Sequence, residues 1–256
     1  MRRIVTFVFL FSFLMVQNGC SIKQSSAKES YLDGIVMADK EGSFMIAFSG
    51  KEGILSPFEP VSVFYKNVKE SFPRGTLIRI TYDGTVRESY PVQVTAKDIT
   101  VIQEVKDNWP PTMQIDSTYS PEEAIADGCY VENINGKNNN NKNLEAAVRF
   151  WQNASQGICA YLRKVTYTTE GDPIIADIIY DGTKFYAVTD STRDSFLGTG
   201  SRISSKEYSF LNTYEKDGKK IIYLANKEQV SQKEYESGSL DTLRFIWSKK
   251  WYTFLR

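Results

Sequence analysis

Short apolar and β-branched runs, separated by turn-forming residues, predict strands over the first part of the chain. The segments are 34–38, 43–48, 61–65, 77–82, 86–90 and 92–102. Turns containing glycine, at 39–42 and at Asp83-Gly84, favour two hairpins. The Pro-rich surroundings of 61–65 indicate an edge position. Turn signals about every ten residues are typical of small barrels, so we expect a five-stranded β-barrel, closed or half-open, from 31 to 105, with 61–65 as a short edge strand.

Two helical segments interrupt the strand pattern in the second half. Ser120-Pro121-Glu122-Glu123 combines a capping serine, a proline at the first helical position and a glutamate that closes a capping box, and Gly128 ends this helix. A second helix is expected to begin after Asn143 as its cap and to stop near Gly157. Its apolar stripe, which we expect to face the core, consists of Leu144, Ala147, Val148 and Trp151.

The remaining segments of the second half are predicted strands. They are 129–134, a meander at 161–168, 174–180 and 184–189, and a hairpin at 208–215 and 219–224. The last residues, Leu240–Arg256, fit either a helical stripe or a hairpin, and they are expected either to pack on the body or to rest on an anionic membrane surface. Taken together, the segments indicate an α+β protein: a small barrel, a linker at 106–119, and a mixed domain from 120 to 256 with a β-meander and two helices.

The N-terminus has the layout of an export signal. Arg2 and Arg3 precede an apolar run, Ile4–Val16, that is shorter than the roughly 20 residues of a membrane-spanning helix. Gly19 and Cys20 resemble the end of a bacterial lipoprotein signal, although Gln17 stands where that family usually has leucine. The resemblance implies a signal peptide at 1–19 and a diacylglyceryl and fatty acyl anchor on Cys20. The polar residues that follow predict a flexible tether at 20–30. A secreted protein cut nearby and an uncut anchor are the alternatives, and both also place the body outside the cytoplasm.

Composition excludes several classes of function. The chain has 31 basic and 31 acidic residues, and loss of Arg2 and Arg3 with the signal leaves a slight acidic excess, so no basic surface for nucleic acid is indicated. Histidine is absent, which excludes Ser-His and Cys-His nucleophiles and histidine-ligated zinc. The pattern of residues predicts no cofactor, no metal site and no catalytic motif. Cys129 and Cys159 are expected to form one disulfide or to stay buried and reduced.

Two polar clusters are the candidate site. Thr168, Thr169, Glu170 and Asp172 follow one meander strand, while Asp190, Arg193 and Asp194 follow another, and the meander order places both segments at the same end. Carboxylates about 5–10 Å apart serve acid/base glycoside chemistry, and with an arginine between them they are suited instead to a ligand. The alternative is that these residues form turns and pair with one another on the surface.

Two further resemblances concern the body of the chain. Its first part resembles oligonucleotide- or oligosaccharide-binding barrels in size and strand count. The runs Gly34-Ile35-Val36 and Asp83–Pro91 also resemble an uncharacterised domain family of exported proteins in Gram-positive spore formers, over about 31–102. Residues 120–225 resemble a second uncharacterised extracytoplasmic family. The motifs that carry this likeness are Ser120–Ala124, Thr168–Ile174 and Asp190–Asp194.

These resemblances imply an extracytoplasmic setting and supply no catalytic residues. The expected function is therefore a non-enzymatic binding or accessory module of the cell envelope, held at the membrane by the lipid on Cys20, with an unidentified envelope protein or small ligand as its partner. A carboxylate-dependent hydrolase acting on an envelope saccharide or peptide is the alternative. A purely structural interaction protein is the third possibility.

Overall fold

The computed structural model describes ten segments of the chain: 29–40, 42–50, 55–66, 71–105, 115–116, 118–132, 141–198, 202–216, 219–238 and 242–248. Within them 49% of the residues are in strands and 13% are helical, so the fold is β-rich and the prediction of an α+β protein is wrong. The predicted helices are present but short, whereas the strands form three separate sheets and so make up most of the regular structure. The signal segment, Cys20 and the tether up to residue 28 lie outside the described residues.

The first sheet has six strands, where five were predicted for a barrel. The strands are β1 Ser30–Lys40, β2 Ser43–Phe48, β3 Pro60–Tyr65, β4 Leu77–Tyr82, β5 Val92–Ala96 and β6 Asp98–Gln103, in the order β5-β3-β2-β1-β4-β6. The predicted hairpin between β1 and β2 is confirmed. The predicted edge position of 61–65 is wrong, because β3 lies between β2 and β5 and pairs in parallel with β5.

The predicted hairpin at Asp83-Gly84 is not formed. β4 pairs with β1 along one side and with β6 along the other, so neither side is left for a strand at 86–90. That segment makes one isolated bridge, between Arg87 and Gln93. Lys97 divides the predicted strand 92–102 into β5 and β6.

The first sheet curls into a half-barrel. β5 and β6 are its two edges, yet a single residue, Lys97, joins them in the chain. The backbone N–H of Lys97 donates to the carbonyl of Thr81 in β4 at 2.8 Å. The two edges therefore converge at this corner, and the concave face encloses an apolar core that includes Val36, Ile46 and Ile80.

The second sheet contains the predicted meander, which is confirmed. Its elements are β8 Ala160–Tyr167, β9 Pro173–Tyr180 and β10 Phe185–Asp190, flanked by β7 Tyr130–Glu132 and β11 Ile203–Tyr208 in the order β11-β10-β9-β8-β7. β7 pairs in parallel with β8, and the other pairs in this sheet are antiparallel.

Both predicted helices are present, but their caps differ. Helix α1, Pro121–Ala126, has the expected capping box between Ser120 and Glu123. Helix α2, Leu144–Ser155, follows Asn143, whose φ of 51° lies in the left-handed region and whose side chain makes no capping bond. The Asn143 amide donates instead to the carbonyl of Ile125 at 2.8 Å. Asn143 therefore ties the start of α2 to the end of α1.

The third sheet contains the predicted hairpin, β12 Phe210–Lys216 and β13 Lys219–Ala225, followed by helix α3, Gln232–Glu236, and strand β14, Leu243–Ser248. β14 pairs with β13, so the helical reading of the C-terminal segment is wrong for residues 243–248. Residues 249–256 lie outside the described residues. The three helices within the described ranges are too short or too polar to cross a membrane.

The elements stack in three layers. The convex face of the half-barrel packs on one face of the second sheet, and their shared core includes Ile35, Met37 and Leu77 from the first part with Tyr161 and Ile179 from the second. The opposite face of the second sheet is covered by α2 and the third sheet. Trp151 is half-buried on this outer core, with the Lys220 ammonium 4.9 Å from its ring centre.

Candidate functional site

The two polar clusters predicted as a site are neighbours, as the meander order required. The carboxylate of Asp172, in the link between β8 and β9, accepts a hydrogen bond from the backbone N–H of Ser195 at 2.8 Å, and Ser195 lies in the loop after β10. Glu170, in the same link, is exposed and accepts from the hydroxyl of Thr169 at 2.9 Å. The structure therefore joins the two segments through Asp172.

The other predicted site residues are occupied by local contacts. Asp190 accepts at one oxygen from the backbone and hydroxyl of Thr192, and it pairs at the other with Arg193 at 2.8 Å. Arg193 also donates to the carbonyls of Ile115 and Asp116. Asp194 accepts from the backbone N–H of Phe196 at 2.9 Å. These are contacts of turn-forming residues, as the second alternative expected, but they are not on the surface, because Asp190 and Asp194 are buried and the Arg193 side chain is 9% exposed.

A buried ion pair lies between the half-barrel and the second sheet. Arg163 in β8 is directly opposite Asp177 in β9. Its Nε and Nη2 donate to the two carboxylate oxygens of Asp177 at 2.7 and 2.9 Å, and Nη2 also donates to the Tyr161 hydroxyl at 3.0 Å. Asp177 is fully buried and the Arg163 side chain is 10% exposed, so the pair is held in a region of low dielectric constant.

Electrostatics keep Arg163 charged. Burial lowers the pKa of Arg163, but the charge of Asp177 and the hydrogen bond to it outweigh burial and raise the pKa above its ordinary value. Burial raises the pKa of the neighbouring Tyr161 hydroxyl, which therefore stays protonated. Arg163 is a fixed cation whose position is determined by two bonds to Asp177 and one to Tyr161.

A cavity of about 520 Å³ opens beside Arg163. It is bounded on one side by residues of the half-barrel and on the other by residues of the second part of the chain. The lining residues are Asp33, Ile35, Ser49, Gly50, Pro57, Phe58, Leu77, Arg79, Ile102, Ile115, Asp127 and Arg163. The volume falls in the range of about 300–1,000 Å³ that small-molecule sites commonly occupy.

Further polar groups contribute to this lining. Arg79 in β4 and Asp33 in β1 form a two-point pair with both contacts at 2.8 Å, and the Arg79 side chain is half exposed. Asp127, at the end of α1, accepts a hydrogen bond from the Tyr119 hydroxyl at 3.0 Å. Phe58 contributes an aromatic wall, with its ring 4.8 Å from that of Tyr161 and 5.8 Å from the Arg163 guanidinium carbon.

The sequence analysis missed this site for an identifiable reason. Arg163 and Asp177 are single charged residues within strands, and each resembles a solvent-facing position when its strand is read alone. One signal was available: Arg163 shares a strand face with the apolar Tyr161 and Val165, and the short meander link sets its register with Asp177. The cavity itself depends on packing between segments more than 50 residues apart, which strand patterns do not reveal.

The two cysteines do not form the disulfide that the sequence allowed. Both are free thiols and both are buried. The parallel register of Tyr130 with Lys164 places Cys129 near the level of Arg163, four residues from Cys159 along β8. This separation is about 13 Å at ~3.3 Å per residue, beyond the roughly 7 Å that disulfide Cα atoms can span. In the described residues, no group of three or more cysteine and carboxylate side chains is arranged to hold a metal ion.

Comparison with known proteins adds one finding. No curated protein matches this sequence. The model of a family described as a domain of unknown function, DUF4362, matches residues 132–224. This confirms an uncharacterised domain in the second half, and it leaves the first sheet and the N-terminal segment outside the match. From β7 to β13 the chain is therefore similar to the DUF4362 family.

Proposed function

We propose that this protein is a lipid-anchored, extracytoplasmic binding module that holds a small ligand in the cavity between its two large sheets. The observation that carries the proposal is the cavity of about 520 Å³ beside Arg163. A fixed cation, an aromatic wall and a second charged pair line one concave space that also has apolar walls, the combination that small-molecule sites use. The protein binds its ligand without changing it chemically.

The hydrolase alternative has less support from the geometry. Catalytic carboxylates need to face a space where substrate can lie. Asp172, Asp190 and Asp194 each accept a hydrogen bond from a turn backbone, and none of them lines the cavity. We therefore favour binding over hydrolysis.

The proposed ligand site is tested with 1-anilinonaphthalene-8-sulfonate, a small fluorescent anion with an apolar body. We expect one molecule bound per chain with enhanced fluorescence. Ile102 and Val101 in β6 provide a matched pair of variants, because they are 40% and 41% exposed but Ile102 alone of the two lines the cavity. Ile102→Trp should weaken binding of the dye at least tenfold, and Val101→Trp should leave it unchanged.

Two outcomes would contradict the ligand site. One is that the dye fails to bind the native protein. The other is that the two tryptophan variants weaken its binding equally while their thermal unfolding matches the parent. Either result would favour the purely structural interaction protein over the binding module.

The proposed membrane anchor rests on the apolar run Ile4–Val16 and on Gly19-Cys20 at its end. We expect the full chain, expressed in a Gram-positive host, to incorporate labelled palmitate and to sediment with membranes. Cys20→Ser should abolish both properties, whereas Cys159→Ala, which alters a buried thiol, should abolish neither. A parent chain that incorporates no palmitate, together with Cys20→Ser retained equally in carbonate-washed membranes, would exclude a lipid on Cys20 as the anchor.

A further inference from the structure

We infer that the ligand of the cavity is a small zwitterion with an apolar body, and that a short peptide with free termini is the class that fits. This inference rests on the proposed function, because it assumes that the cavity is a ligand site. It adds the chemistry of the ligand and assigns separate roles to Arg163 and Asp127.

Charges of both signs line the described part of the cavity. The described lining residues include two guanidinium groups, Arg79 and Arg163, and two carboxylates, Asp33 and Asp127. A third carboxylate, Asp177, is bonded to Arg163 from behind. An anion in this space would gain from Arg163 and lose part of that gain to Asp127 and Asp177, so the anionic dye should bind more weakly than a ligand that also carries a cation. A cation alone would meet the reverse problem, whereas a ligand that carries both charges can satisfy Arg163 and Asp127 together.

Arg163 can bind the anionic end of such a ligand. Its three recorded hydrogen bonds use Nε and Nη2. Among the described residues Nη1 donates to no protein atom, and Arg163 lines the cavity with a side chain that is nine-tenths buried. The two N–H bonds of Nη1 are therefore available to a carboxylate, in an environment where a charge-assisted bond is strong.

Asp127 can bind the cationic end. An ionised carboxylate only accepts hydrogen bonds, and its two oxygens can take several donors. One donor is the Tyr119 hydroxyl, which contacts Oδ2 at 3.0 Å. Burial raises the pKa of Tyr119, so this hydroxyl remains a hydrogen-bond donor to Asp127. An ammonium group in the cavity would bring the opposite charge and up to three further donors.

The rest of the lining favours a peptide over a saccharide. Among the described lining residues, Ser49 alone has an uncharged polar side chain and four side chains are charged, so the lining offers more to a charged peptide than to a neutral sugar. The apolar lining includes Ile35, Phe58 and Leu77, which suits a hydrophobic side chain. The volume of about 520 Å³ is within the range of about 300–1,000 Å³ that small-molecule sites occupy, which suits a dipeptide with one aromatic side chain.

The experiment measures binding of the dipeptide alanyl-phenylalanine by isothermal titration calorimetry. It uses the soluble body of the protein, which is residues 29–256 without the signal segment and the tether up to residue 28. Two analogues remove one charge each: the N-acetyl form and the C-terminal amide. We expect each analogue to bind at least tenfold more weakly than the free dipeptide. Asp127→Asn should weaken the dipeptide at least tenfold and leave the N-acetyl form unchanged, because that form lacks the ammonium group.

Glu122→Gln is the matched control, since Glu122 is an exposed carboxylate on the same helix, α1, and does not line the cavity. It should bind all three ligands as the parent does. If Asp127→Asn fails to fold, the comparison of the free dipeptide with its two analogues still tests whether the cavity recognises both charges, because that comparison uses only the parent protein.

The possible failures are distinguishable. If the dye binds and Ile102→Trp blocks it, but the free dipeptide binds no better than either analogue, the cavity is a ligand site and the zwitterion inference is overturned. If a monosaccharide such as glucose binds while the dipeptide does not, the inference is overturned in favour of a sugar. If neither dye nor dipeptide binds, the proposed function fails and this inference fails with it.

Discussion

Gly128 lies against Pro57 so closely that a Cβ at position 128 would stand 2.5 Å from the Cβ of Pro57. Gly128 follows α1 and precedes β7, while Pro57 precedes β3 of the half-barrel. The contact therefore joins the two parts of the chain at the wall of the cavity, which Pro57 also lines. The φ of Gly128, +80°, is a second reason why glycine occupies position 128.

Two glycine variants separate these reasons. Gly157 ends α2 as Gly128 ends α1, with a φ of +72°, but a Cβ there would meet nothing within 4 Å. Gly157→Ala should lower the free energy of unfolding by about 1–2 kcal/mol, the cost of a left-handed conformation. Gly128→Ala should lower it by a further ~1–3 kcal/mol because of the overpacked contact with Pro57. Urea titrations measure both, and equal losses would show that Pro57 moves aside freely.

Two ion pairs in this chain allow a comparison of how burial changes the stability lost when the arginine is removed. Arg163–Asp177 and Arg79–Asp33 are both cross-strand pairs in which Nε and Nη2 contact a carboxylate, and they differ mainly in exposure. Arg163→Ala should lower the free energy of unfolding by about 3–5 kcal/mol, because it leaves Asp177 charged and buried without a partner. Arg79→Ala should lower it by about 1 kcal/mol or less.

Replacing both partners of the buried pair tests whether the unpaired carboxylate of Asp177 causes the loss of stability in Arg163→Ala. The double variant Arg163→Met with Asp177→Leu removes the charge together with its counter-charge, so we expect most of the stability lost in Arg163→Ala to return. Chemical denaturation of the single and double variants provides the comparison. A double variant as unstable as Arg163→Ala would indicate that the pair itself, rather than the stranded carboxylate, supplies the stability.

Alkaline pH should destabilise the protein through Cys129. Burial raises the pKa of this thiol to about 11, from an ordinary value of 9.0. Because the unfolded chain loses this proton first, the stability contributed by the protonated thiol is complete below about pH 9 and is lost as the pH rises through about 11. The shift corresponds to about 3 kcal/mol. Cys129→Ala should flatten the fall in unfolding free energy between pH 9 and 11, and an unchanged slope would contradict the buried thiol.

The two body thiols should be unreactive until the protein unfolds. Cys129 and Cys159 are 0% and 4% exposed, and burial raises the pKa of each, so little thiolate is present at neutral pH. In the soluble body, which lacks Cys20, a thiol reagent should detect no cysteine in the native state and two in denaturant without reductant. Detection of none in denaturant would reveal a disulfide.

Local signals predicted local structure well. The capping box at Ser120 and the meander were confirmed because their partners lie within a few residues or across short links. The hairpin at Asp83-Gly84 was predicted on equally good turn chemistry and is absent, because β1 and β6 had already taken both sides of β4. Which strands pair with each other depends on the whole sheet, so it cannot be predicted from the sequence of a single segment.

The candidate site shows the same division. The sequence placed Asp172 and the loop after β10 correctly at one end of the meander. It could not identify the cavity, whose walls come from β1, β4 and β6 on one side and from Asp127 and Arg163 on the other. The pattern of each strand shows which residues are buried, but not which other surface buries them.

The shared core between the half-barrel and the second sheet also bears on the unit that the DUF4362 match defines. The matched residues, 132–224, include β8 and β9, whose inner face packs on Ile35, Met37 and Leu77 outside the match. Excised at those limits, the segment would expose Val165, Ile175 and Ile179 to water. The limits of the sequence family and of the cooperative folding unit therefore differ in this chain. We expect residues from β1 to β13 to unfold in a single transition, because the half-barrel covers one face of the sheet that the family match includes.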